Sequence, residues 1–512
     1  MPELRTKRIA VALVQAFAVF VGLTCTVDAS ERHRLVILAD MGNEPDEMQQ
    51  MIHMITCSNE FELEGLIAVT GKYLRPESKN PYRRQLHPEL FHQIIDAFEK
   101  VVPNLRIHAD GWPDPDELRL LVKEGQTGYG IQSVGEGKQS GGSDLLKKLL
   151  EEEDTRPIWI VVNAGSNTLA QALQDFEKEH GKRRTLSAIR KIRVFENGAQ
   201  DNAGAWICEN YPGIHWIRSN YQTYAYGGPG SPSGNATVAG GPNFWGANPS
   251  SVEGQLEWQK QHIMNGHGRL GELYPERRFH SGKLAFMEGG GTIPWLGLVN
   301  RGLFDINQPH WGGWSGRFSR ERVADFWSRH QDIQKDEVKN APFYVYREVA
   351  DHWIDQRDGV DYSGDYAPIW RWREAMYNNQ AARMDWCVKK FSEANHHPVA
   401  VVDGDQTDSV IRIQASAGQT LEFDASASSD IDEDKIQYCW WIYEEPGTYA
   451  GKIKLSDSDS AQVTLELPSG ATNAQIHLIL EIKDDGTPSL FDYRRIVIDT
   501  DQRVVGHRSI QR

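Results

Sequence analysis

Short apolar runs and helical repeats alternate along residues 34 to about 220. Residues 34–39 form an apolar run that predicts a buried strand, and within 45–57 the residues Met48, Met51 and Ile55 recur at helical spacing. Further strands are predicted at 63–70, 105–109, 157–163, 192–195 and 214–217, with helices that begin at 90, 167 and 203. Strands and helices in this order predict an α/β fold built on a doubly wound, mainly parallel sheet.

The second half of the chain has a different pattern. Residues 221 to about 248 are rich in Gly, Pro, Ser and Asn and predict a long loop, and 255–391 combine short helices with many tryptophans. After residue 398, short strands separated by turns predict a small all-β, immunoglobulin-like sandwich, in which one ring of Trp440 and Trp441 enters the core. We therefore expect domains at 31–395 and 396–500, followed by a tail at 501–512.

Residues 1–30 have the layout of a secretory signal peptide. A basic start from Arg5 to Arg8 precedes an apolar run at 9–23, and small residues follow up to Ala29. Cleavage there would leave a secreted or periplasmic protein with no membrane segment, because no later stretch is long enough to span a bilayer. An uncleaved anchor is the alternative. The formal net charge of -16 excludes binding of nucleic acid through bulk charge, but it allows a small nucleoside ligand.

Four carboxylates crowd within eight residues where the first predicted strand ends: Asp40, Glu44, Asp46 and Glu47. In open α/β sheets, ligands bind at the carboxyl ends of the strands. Carboxylates this close repel one another unless a proton or a cation lies among them, and their hard oxygens suit Ca²⁺ or Mg²⁺. An acidic first turn that favours the helix dipole is the alternative.

Several motifs of the chain resemble those of a known group. They are DMGNEPDE at 40–47, NAGSNTLAQAL at 163–173, GHGRLG at 266–271 and WGGW at 311–314. Through them, residues 34 to about 390 resemble the nucleoside-hydrolase-like family described as cellulose-binding. DASASSD at 424–430, with the tryptophan pair, resembles the immunoglobulin-like or polycystic-kidney-disease-like module that follows in that family. The resemblance covers nearly the whole chain after residue 30 and implies a nucleoside-hydrolase-like fold.

The resemblance also implies a metal site at the end of the first strand. Nucleoside hydrolases carry Asp-x-Asp-x-Gly-x-Asp-Asp there, bind Ca²⁺, and use one aspartate to activate the attacking water. Asp40 and Asp46 match this pattern with or without a two-residue insertion, and Glu47 keeps a carboxylate. Asp40 is therefore expected to be the catalytic base and a Ca²⁺ ligand, with Asp46, Glu47 and Glu44 as further ligands.

Two later positions of the family's metal site can also be located. A backbone carbonyl near Asn163 or Ala164 matches the family's carbonyl ligand. The hydrolases also use a late aspartate, which is missing where residues 288–294 read EGGGTIP. Glu288 is the carboxylate that could substitute for it.

Polar residues near other strand ends and in one glycine-flanked loop are candidate substrate contacts. They are Asn43, Asn167, Asp201, Asn202 and His267. In the functional interpretation they bind the substrate beside Asp40. The asparagines and the aspartate could instead cap turns and helices, and a single loop histidine could instead be structural or solvated.

Trp311 and Trp314 lie among glycines and are expected to be exposed enough to stack on sugar rings. Packing in a core is the alternative, which we expect for most of the sixteen tryptophans. In the last domain, Asp430, Asp432 and Asp434 alternate along the chain and could bind Ca²⁺, or they could form a solvated turn.

Two functions from different classes fit these features, and both imply a carbohydrate or nucleoside-like ligand. The first is an exported, metal-assisted hydrolase of a glycosidic or N-glycosidic bond, which Asp40 and Asp46 favour. The second is a non-catalytic protein that binds cellulose or another polysaccharide on the hydrolase scaffold, which the missing late aspartate favours. A fold resemblance does not decide between them.

Overall fold

The predicted apolar strands assemble into one eight-stranded sheet. The computed structural model describes residues 32–227, 254–278, 287, 290–299, 302–323, 328–356 and 359–501, so the predicted signal peptide, most of the tail and Glu288 lie outside the described residues. The strands are β1 (His33–Ala39), β2 (Phe61–Ala68), β3 (Val122–Glu124), β4 (Ile158–Val162), β5 (Ile192–Asn197), β6 (His215–Ser219), β7 (Phe318–Val323) and β8 (Phe343–Glu348). Their order is β3-β2-β1-β4-β5-β6-β8-β7, and all neighbours run parallel except β7 and β8.

Helices connect the strands and cover both faces of the sheet. They are α1 (Pro45–Ile55), α2 (Glu89–His108), α3 (Pro115–Leu121), α4 (Gly141–Glu151), α5 (Ser166–His180), α6 (Lys182–Ala188), α7 (Ala203–Asn210), α8 (Gln255–Gln259), α9 (Gly268–Leu273), α10 (Ile293–Leu296), α11 (Gln331–Glu337), α12 (Ala367–Trp370) and α13 (Arg373–Trp386). Among the described residues, no helix combines the length and apolar character that a membrane span requires.

The central strand β1 supplies both cores of this domain. Leu35 and Ile37 point to the side of α1 and α2, whereas Val36 and Leu38 point to the side of α4 and α5, and all four are fully buried. Successive residues of a strand face opposite sides, so an uninterrupted apolar run is buried on both. This arrangement confirms the predicted doubly wound, mainly parallel sheet.

The structure corrects two sequence predictions in this domain. The strand predicted at 105–109 is wrong, because α2 continues to His108 and buries Phe98, Val101 and Leu105 at helical spacing. The third strand along the chain is instead β3. Two further strands, β7 and β8, lie in the segment where only short helices were predicted. In β7 the interior positions are mainly exposed polar residues, so no apolar run marks the strand.

The C-terminal module is a sandwich of two small sheets. Its strands are β9 (Ile411–Ala415), β10 (Thr420–Asp424), β11 (Gln437–Ile442), β12 (Lys454–Ser456), β13 (Gln462–Glu466), β14 (Gln475–Lys483) and β15 (Phe491–Thr500). The sheets have the orders β10-β13-β12 and β11-β14-β15-β9. Trp440 is 2% exposed inside the sandwich, and Trp441 packs outside it against Trp372, 5.6 Å away between ring centroids. The predicted division of the tryptophan pair is therefore confirmed.

A buried arginine joins the module to the first domain. Arg495, on β15, is fully buried and donates hydrogen bonds to the carbonyl oxygens of Leu303 at 2.9 Å and Gly312 at 3.0 Å. Nearby, the Tyr443 hydroxyl donates to Asp351 at 2.7 Å. Buried polar groups that are paired across a boundary fix its geometry, because separating them would leave each one unsatisfied.

Candidate functional site

A tight turn at the end of β1 places Asp40 and the start of α1. Gly42 has φ +89°, which a residue with a side chain rarely adopts, and the Asn43 amide donates to the Asp40 carbonyl at 3.0 Å. Pro45 then fixes the first turn of α1. The turn carries the chain directly from the strand into the helix, so Asp40 lies at the carboxyl edge of the sheet.

The Asp40 carboxylate is fully buried, and neither oxygen has a hydrogen-bond partner among the described residues. Burial and the nearby charge of Glu44 raise the pKa of Asp40 to about 7, against the opposing influence of the Arg329 guanidinium and the Asn43 amide. An orphaned buried carboxylate is costly. A proton, a cation or a bound polar ligand would relieve that cost.

Glu47 is a second buried carboxylate beside Asp40. Its Oε2 accepts a hydrogen bond from the Glu44 amide at 3.0 Å, which forms the capping box of α1. Burial, followed by the charges of Asp46, Asp40 and Glu44, raises the pKa of Glu47 well above its usual range. Like charges in a dry site cannot all ionise, so near neutral pH the pair formed by Asp40 and Glu47 favours holding a proton.

Glu44 and Asp46 form ion pairs with one arginine. The Arg277 guanidinium pairs with Asp46, and it lies 3.1 Å from Oε2 of Glu44. Elsewhere in the described chain, three carboxylates place oxygens within 4.8 Å of one another at Asp430, Asp432 and Asp434, but the groups at the tip of β1 do not. The four carboxylates of the predicted metal site therefore divide into a buried pair and an arginine-bound pair.

Replacing Arg277 with methionine is expected to destabilise the protein by about 1–3 kcal/mol, because Asp46 would lose its charged partner while remaining buried. The side chain of Arg277 is only 16% exposed. Arg278→Met is the matched control, since Arg278 is 42% exposed and pairs with Glu276 at the surface. Chemical denaturation of both variants measures the difference, and equal losses would contradict a buried role for Arg277.

Amide side chains form the wall of the site beside α1. The Gln50 amide donates to Asp46 at 3.3 Å, and Asn163, directly after β4, donates to Gln50 at 3.2 Å. The backbone carbonyl of Asn163, predicted as a metal ligand, accepts a hydrogen bond from the Gln200 amide at 3.1 Å. A Cβ on Gly291 would collide with both Gln50 and Asn163. Two amides therefore pack against Gly291, in the segment 288–294 where the late aspartate is missing.

These residues fit a hard cation at Asp40 only in part. Asn43 and Asn163 are buried, and within the described chain the Oδ1 of each lacks a hydrogen-bond partner, as the Asp40 oxygens do. Carboxylate and amide oxygens are the ligands that Ca²⁺ prefers. Asp46 and Glu44, which were predicted to complete the set, are instead bound to Arg277.

Asp201, Asn167 and Asn202 organise neighbouring loops and helices. Asp201 accepts hydrogen bonds from the Ser166 hydroxyl, the Asn167 amide at 3.2 Å and the Ala203 amide at 2.9 Å, so one carboxylate caps the starts of α5 and α7. The Asn167 side chain donates to the Gly128 carbonyl at 2.9 Å, and Asn202 accepts from the Ile131 amide at 2.8 Å. Their predicted role in substrate binding stays a prediction.

His267 lies in contact with the last helix of the domain. It is 7% exposed, and its Nε2 is 3.1 Å from Oδ1 of Asp385, on α13. Within the described chain, this contact joins the start of α9 to α13, away from the tip of β1.

The predicted exposure of Trp311 and Trp314 is wrong. Both are 2% exposed. Trp311 packs against His477 with ring centroids 5.1 Å apart, and Trp314 packs edge-on against Tyr493 at 6.5 Å. The C-terminal module covers both rings, so neither presents a face on which a sugar could stack.

Sequence reasoning missed the residues that surround the carboxylates. Gln50 lies one helical turn after Asp46, so the i, i+4 spacing was the signal that could have found it. Arg277 and Arg329 come from distant segments that carry no local motif. Arg329 is held by the Asn220 carbonyl at 3.3 Å and by the face of Tyr224, 5.1 Å from the ring centroid.

A concave surface adjoins the carboxyl end of β2, next to the strand that carries Asp40. It is a cavity of about 440 Å³ whose lining includes Thr70, Arg75 and Thr127. Thr70 is followed by Gly71, where a Cβ would collide with the Asp40 carboxylate. The buried carboxylate and the cavity therefore share one edge of the sheet, where ligands of α/β proteins bind.

Known proteins resemble both parts of the chain. The family described as cellulose-binding Sde182, nucleoside hydrolase-like domain, matches residues 34–318, and the family described as cellulose-binding protein Sde0182, C-terminal domain, matches residues 420–500. A solved structure of a nucleoside hydrolase-related hypothetical protein from Saccharophagus degradans, associated with carbohydrate metabolism, is 32% identical. The match covers 92% of this chain and 100% of the chain in the solved structure, with a TM-score of 0.77.

Two further comparisons carry no weight for function. The PKD domain from the KIAA 1837 protein covers 18% of this chain and 81% of its own at 16% identity. Its TM-score of 0.14 is too low to bear on the fold. No curated protein matches the chain.

Proposed function

This chain belongs to the nucleoside-hydrolase-like, cellulose-binding Sde182 family, and on that premise we propose that it is a carbohydrate-active hydrolase. Its substrate would contain a glycosidic or N-glycosidic bond, which is cleaved at the tip of β1 with Asp40 as the general base. The leader predicted at residues 1–30 makes a secreted or periplasmic location part of the same proposal.

The state of Asp40 is the observation that supports catalysis. Among the described residues this carboxylate is buried without a hydrogen-bond partner, at the edge of the sheet where ligands bind. A base works best when its pKa lies near the working pH, and the pKa of Asp40 is raised to about 7 by burial. A carboxylate kept only for stability would be paired or solvated instead.

The chemistry assigned to the chain's own residues is a proton transfer at Asp40. One carboxylate oxygen of Asp40 takes a proton from water as the water oxygen bonds to the anomeric carbon, whose transition state resembles an oxocarbenium ion. The glycosidic C–O or C–N bond breaks, and the leaving oxygen or nitrogen keeps the electron pair and takes a proton from solvent. A Ca²⁺ ion held by Asp40, Asn43 and Asn163 would lower the pKa of that water. Arg277 keeps Asp46 and Glu44 paired, which limits the negative charge around the base.

The proposal is tested by turnover on a panel of nucleosides and oligosaccharides, with and without added Ca²⁺. Asp40→Asn is expected to reduce hydrolysis at least about 100-fold, the lower range of general-base contributions. Asp116→Asn is the matched control, because Asp116 is 88% exposed on the surface. Hydrolysis that survives unchanged in Asp40→Asn would refute the assignment of the base.

A second function is a non-catalytic polysaccharide-binding protein on the same scaffold. It is favoured by the missing late aspartate in the segment 288–294, where Gly291 lies against Gln50 and Asn163. Under this alternative, cellulose retains the protein and no substrate of the panel is turned over. Asp40→Asn would then bind cellulose as the parent protein does.

A further inference from the structure

A cleft of about 810 Å³ lies between the first domain and the C-terminal module. We call it the junction cleft. The module contributes a wall that includes Cys439, Trp441 and Glu481, and the first domain contributes Trp353, Arg371 and Trp372. It is separate from the Asp40 site and from the cavity beside β2, which have other lining residues.

The geometry of the module explains why this wall carries functional groups. Along β11, Trp440 points into the sandwich, so its neighbours Cys439 and Trp441 point outward. Cys439 pairs with Glu481 on β14, and Glu481 pairs with Tyr493 on β15. The outer face of three strands therefore forms one continuous wall.

The opposite wall is fixed to the module by polar contacts. The His352 amide donates to Glu445 at 2.7 Å, and Lys483 lies 2.8 Å from Oε1 of Glu374. The Arg371 guanidinium lies over the ring of Tyr443, 4.4 Å from its centroid. These contacts connect the two walls and fix their relative position, so the cleft is part of the folded protein.

The lining of the cleft suits a sugar chain. Trp353 and Trp441 line the cleft and are half-buried, and Arg371 lies 5.3 Å from the centroid of the Trp441 ring. The part of each indole that stays exposed can pack against the apolar face of a pyranose. Trp372 is 1% exposed, and its Nε1 has no hydrogen-bond acceptor within the described chain. The volume of the cleft falls within the range of about 300–1,000 Å³ that is typical of ligand sites.

The charge of the lining narrows the class of ligand. Its described residues include one arginine, Arg371, and five acidic residues: Asp355, Glu374, Glu444, Glu445 and Glu481. Such a surface disfavours phosphates, sulfated sugars and polyuronates, whereas carboxylates accept hydrogen bonds well from neutral hydroxyl groups. Glu374 is paired with Lys483 and Glu445 accepts from the His352 amide, so the lining remains acidic but partly paired. An acidic, aromatic lining of this kind suits a neutral glycan better than an anionic one.

We propose that the junction cleft binds a neutral β-glucan chain through Trp353 and Trp441. This inference takes the identity of the polysaccharide from the second function proposed above, cellulose binding, and adds the place where the polysaccharide binds. The cleft residues from His352 onward follow β8, which runs parallel to β6 at the edge that carries Asp40. Four strand intervals separate β8 from β1, or about 19 Å, so the cleft and Asp40 are different places on the protein.

Binding to amorphous cellulose and to cellohexaose tests the proposal. Trp353→Ala and Trp441→Ala are each expected to weaken binding at least about tenfold, the loss typical of a central aromatic contact. Trp206→Ala is the matched control, because Trp206 is also half-buried but packs against Tyr211 on the other side of the domain. Full binding by both cleft variants at unchanged melting temperature would overturn the proposal.

A thiol in the cleft gives a measurement on the unaltered protein. Cys439 is exposed, whereas Cys57, Cys208 and Cys387 are buried. Saturating cellohexaose is expected to lower the rate of alkylation of Cys439 at least about tenfold. Mass spectrometry of the peptide that contains Cys439 measures this rate. Polygalacturonate, which is anionic, is expected to give no protection. An alkylation rate that cellohexaose leaves unchanged would overturn the proposal even if the tryptophan variants fail to fold.

The two proposals fail in distinguishable ways. Asp40→Asn is expected to keep full cellulose binding, since Asp40 does not line the cleft. Asp40-dependent hydrolysis without any binding of neutral glucan would overturn the cleft proposal and leave the proposed function intact. A parent protein that neither binds glucan nor hydrolyses any substrate of the panel would overturn both.

Discussion

At pH 8 and without added calcium, Asp40→Asn is expected to be more stable than the parent protein by up to about 4 kcal/mol. Burial raises the pKa of Asp40 to about 7. Protonated Asp40 therefore favours the folded state, and this stability is fully present below the unfolded-state pKa near 4. It is lost as the pH rises toward 7, because the buried group must then ionise. An asparagine carries no charge and avoids that loss.

Thermal unfolding at several pH values measures the effect. The melting temperature of the variant should exceed that of the parent protein by about 5 °C at pH 8, and the two should converge near pH 4. Calcium is expected to stabilise the parent protein and not the variant, because the variant lacks the charged ligand. A constant difference between pH 4 and pH 8 would refute a titrating Asp40.

Arg218→Met is expected to destabilise the protein by about 3–5 kcal/mol, the cost typical of breaking a buried ion pair. Arg218, on β6, is fully buried between Glu196 at 2.5 Å and Glu337 at 2.6 Å. Trp216 also donates to Glu196, at 2.9 Å. Removing the guanidinium would leave two buried carboxylates, one on β5 and one on α11, without the positive charge that Arg218 supplies to both. Chemical denaturation monitored by tryptophan fluorescence measures the loss.

An exposed pair provides the control for this second variant. Arg347 lies 3.0 Å from Glu321, and their side chains are 36% and 45% exposed. Arg347→Met should therefore change stability by less than about 1 kcal/mol. Adding Glu196→Gln and Glu337→Gln to Arg218→Met should restore much of the lost stability. If the Arg218 and Arg347 variants behave alike, the buried triad does not stabilise the fold.

The sequence predicted the elements whose structure depends on residues close to one another along the chain, such as strands and tight turns. The apolar run of β1 and the turn at Gly42 placed Asp40 at the edge of the sheet, because strand burial and turn chemistry are local properties. The strand expected at 105–109 was wrong because the end of α2 has apolar residues at every second position, although only Leu105 continues the buried helical face. Leu105 fits either pattern, whereas Ile107 fits only the alternation of a strand and is 53% exposed on the helix.

The parts that the sequence did not predict depend on distant segments. Arg277 lies 231 positions from Asp46, and nothing near either residue indicates their pairing. The glycines around Trp311 and Trp314 suggested exposure, but the surface that buries these rings belongs to strands more than 150 residues later. Contacts between domains leave no periodic signal in a single sequence.

The hydrogen bonds of Arg495 have a consequence for how such chains evolve. Because its guanidinium donates to the backbone carbonyl groups of Leu303 and Gly312, the C-terminal module is part of the folded structure of the first domain. Replacing the module with an unrelated one, or truncating the chain before it, would expose the indoles of Trp311 and Trp314 and leave the Leu303 and Gly312 carbonyl groups without the Arg495 donor. The two halves are therefore expected to be inherited as a single unit.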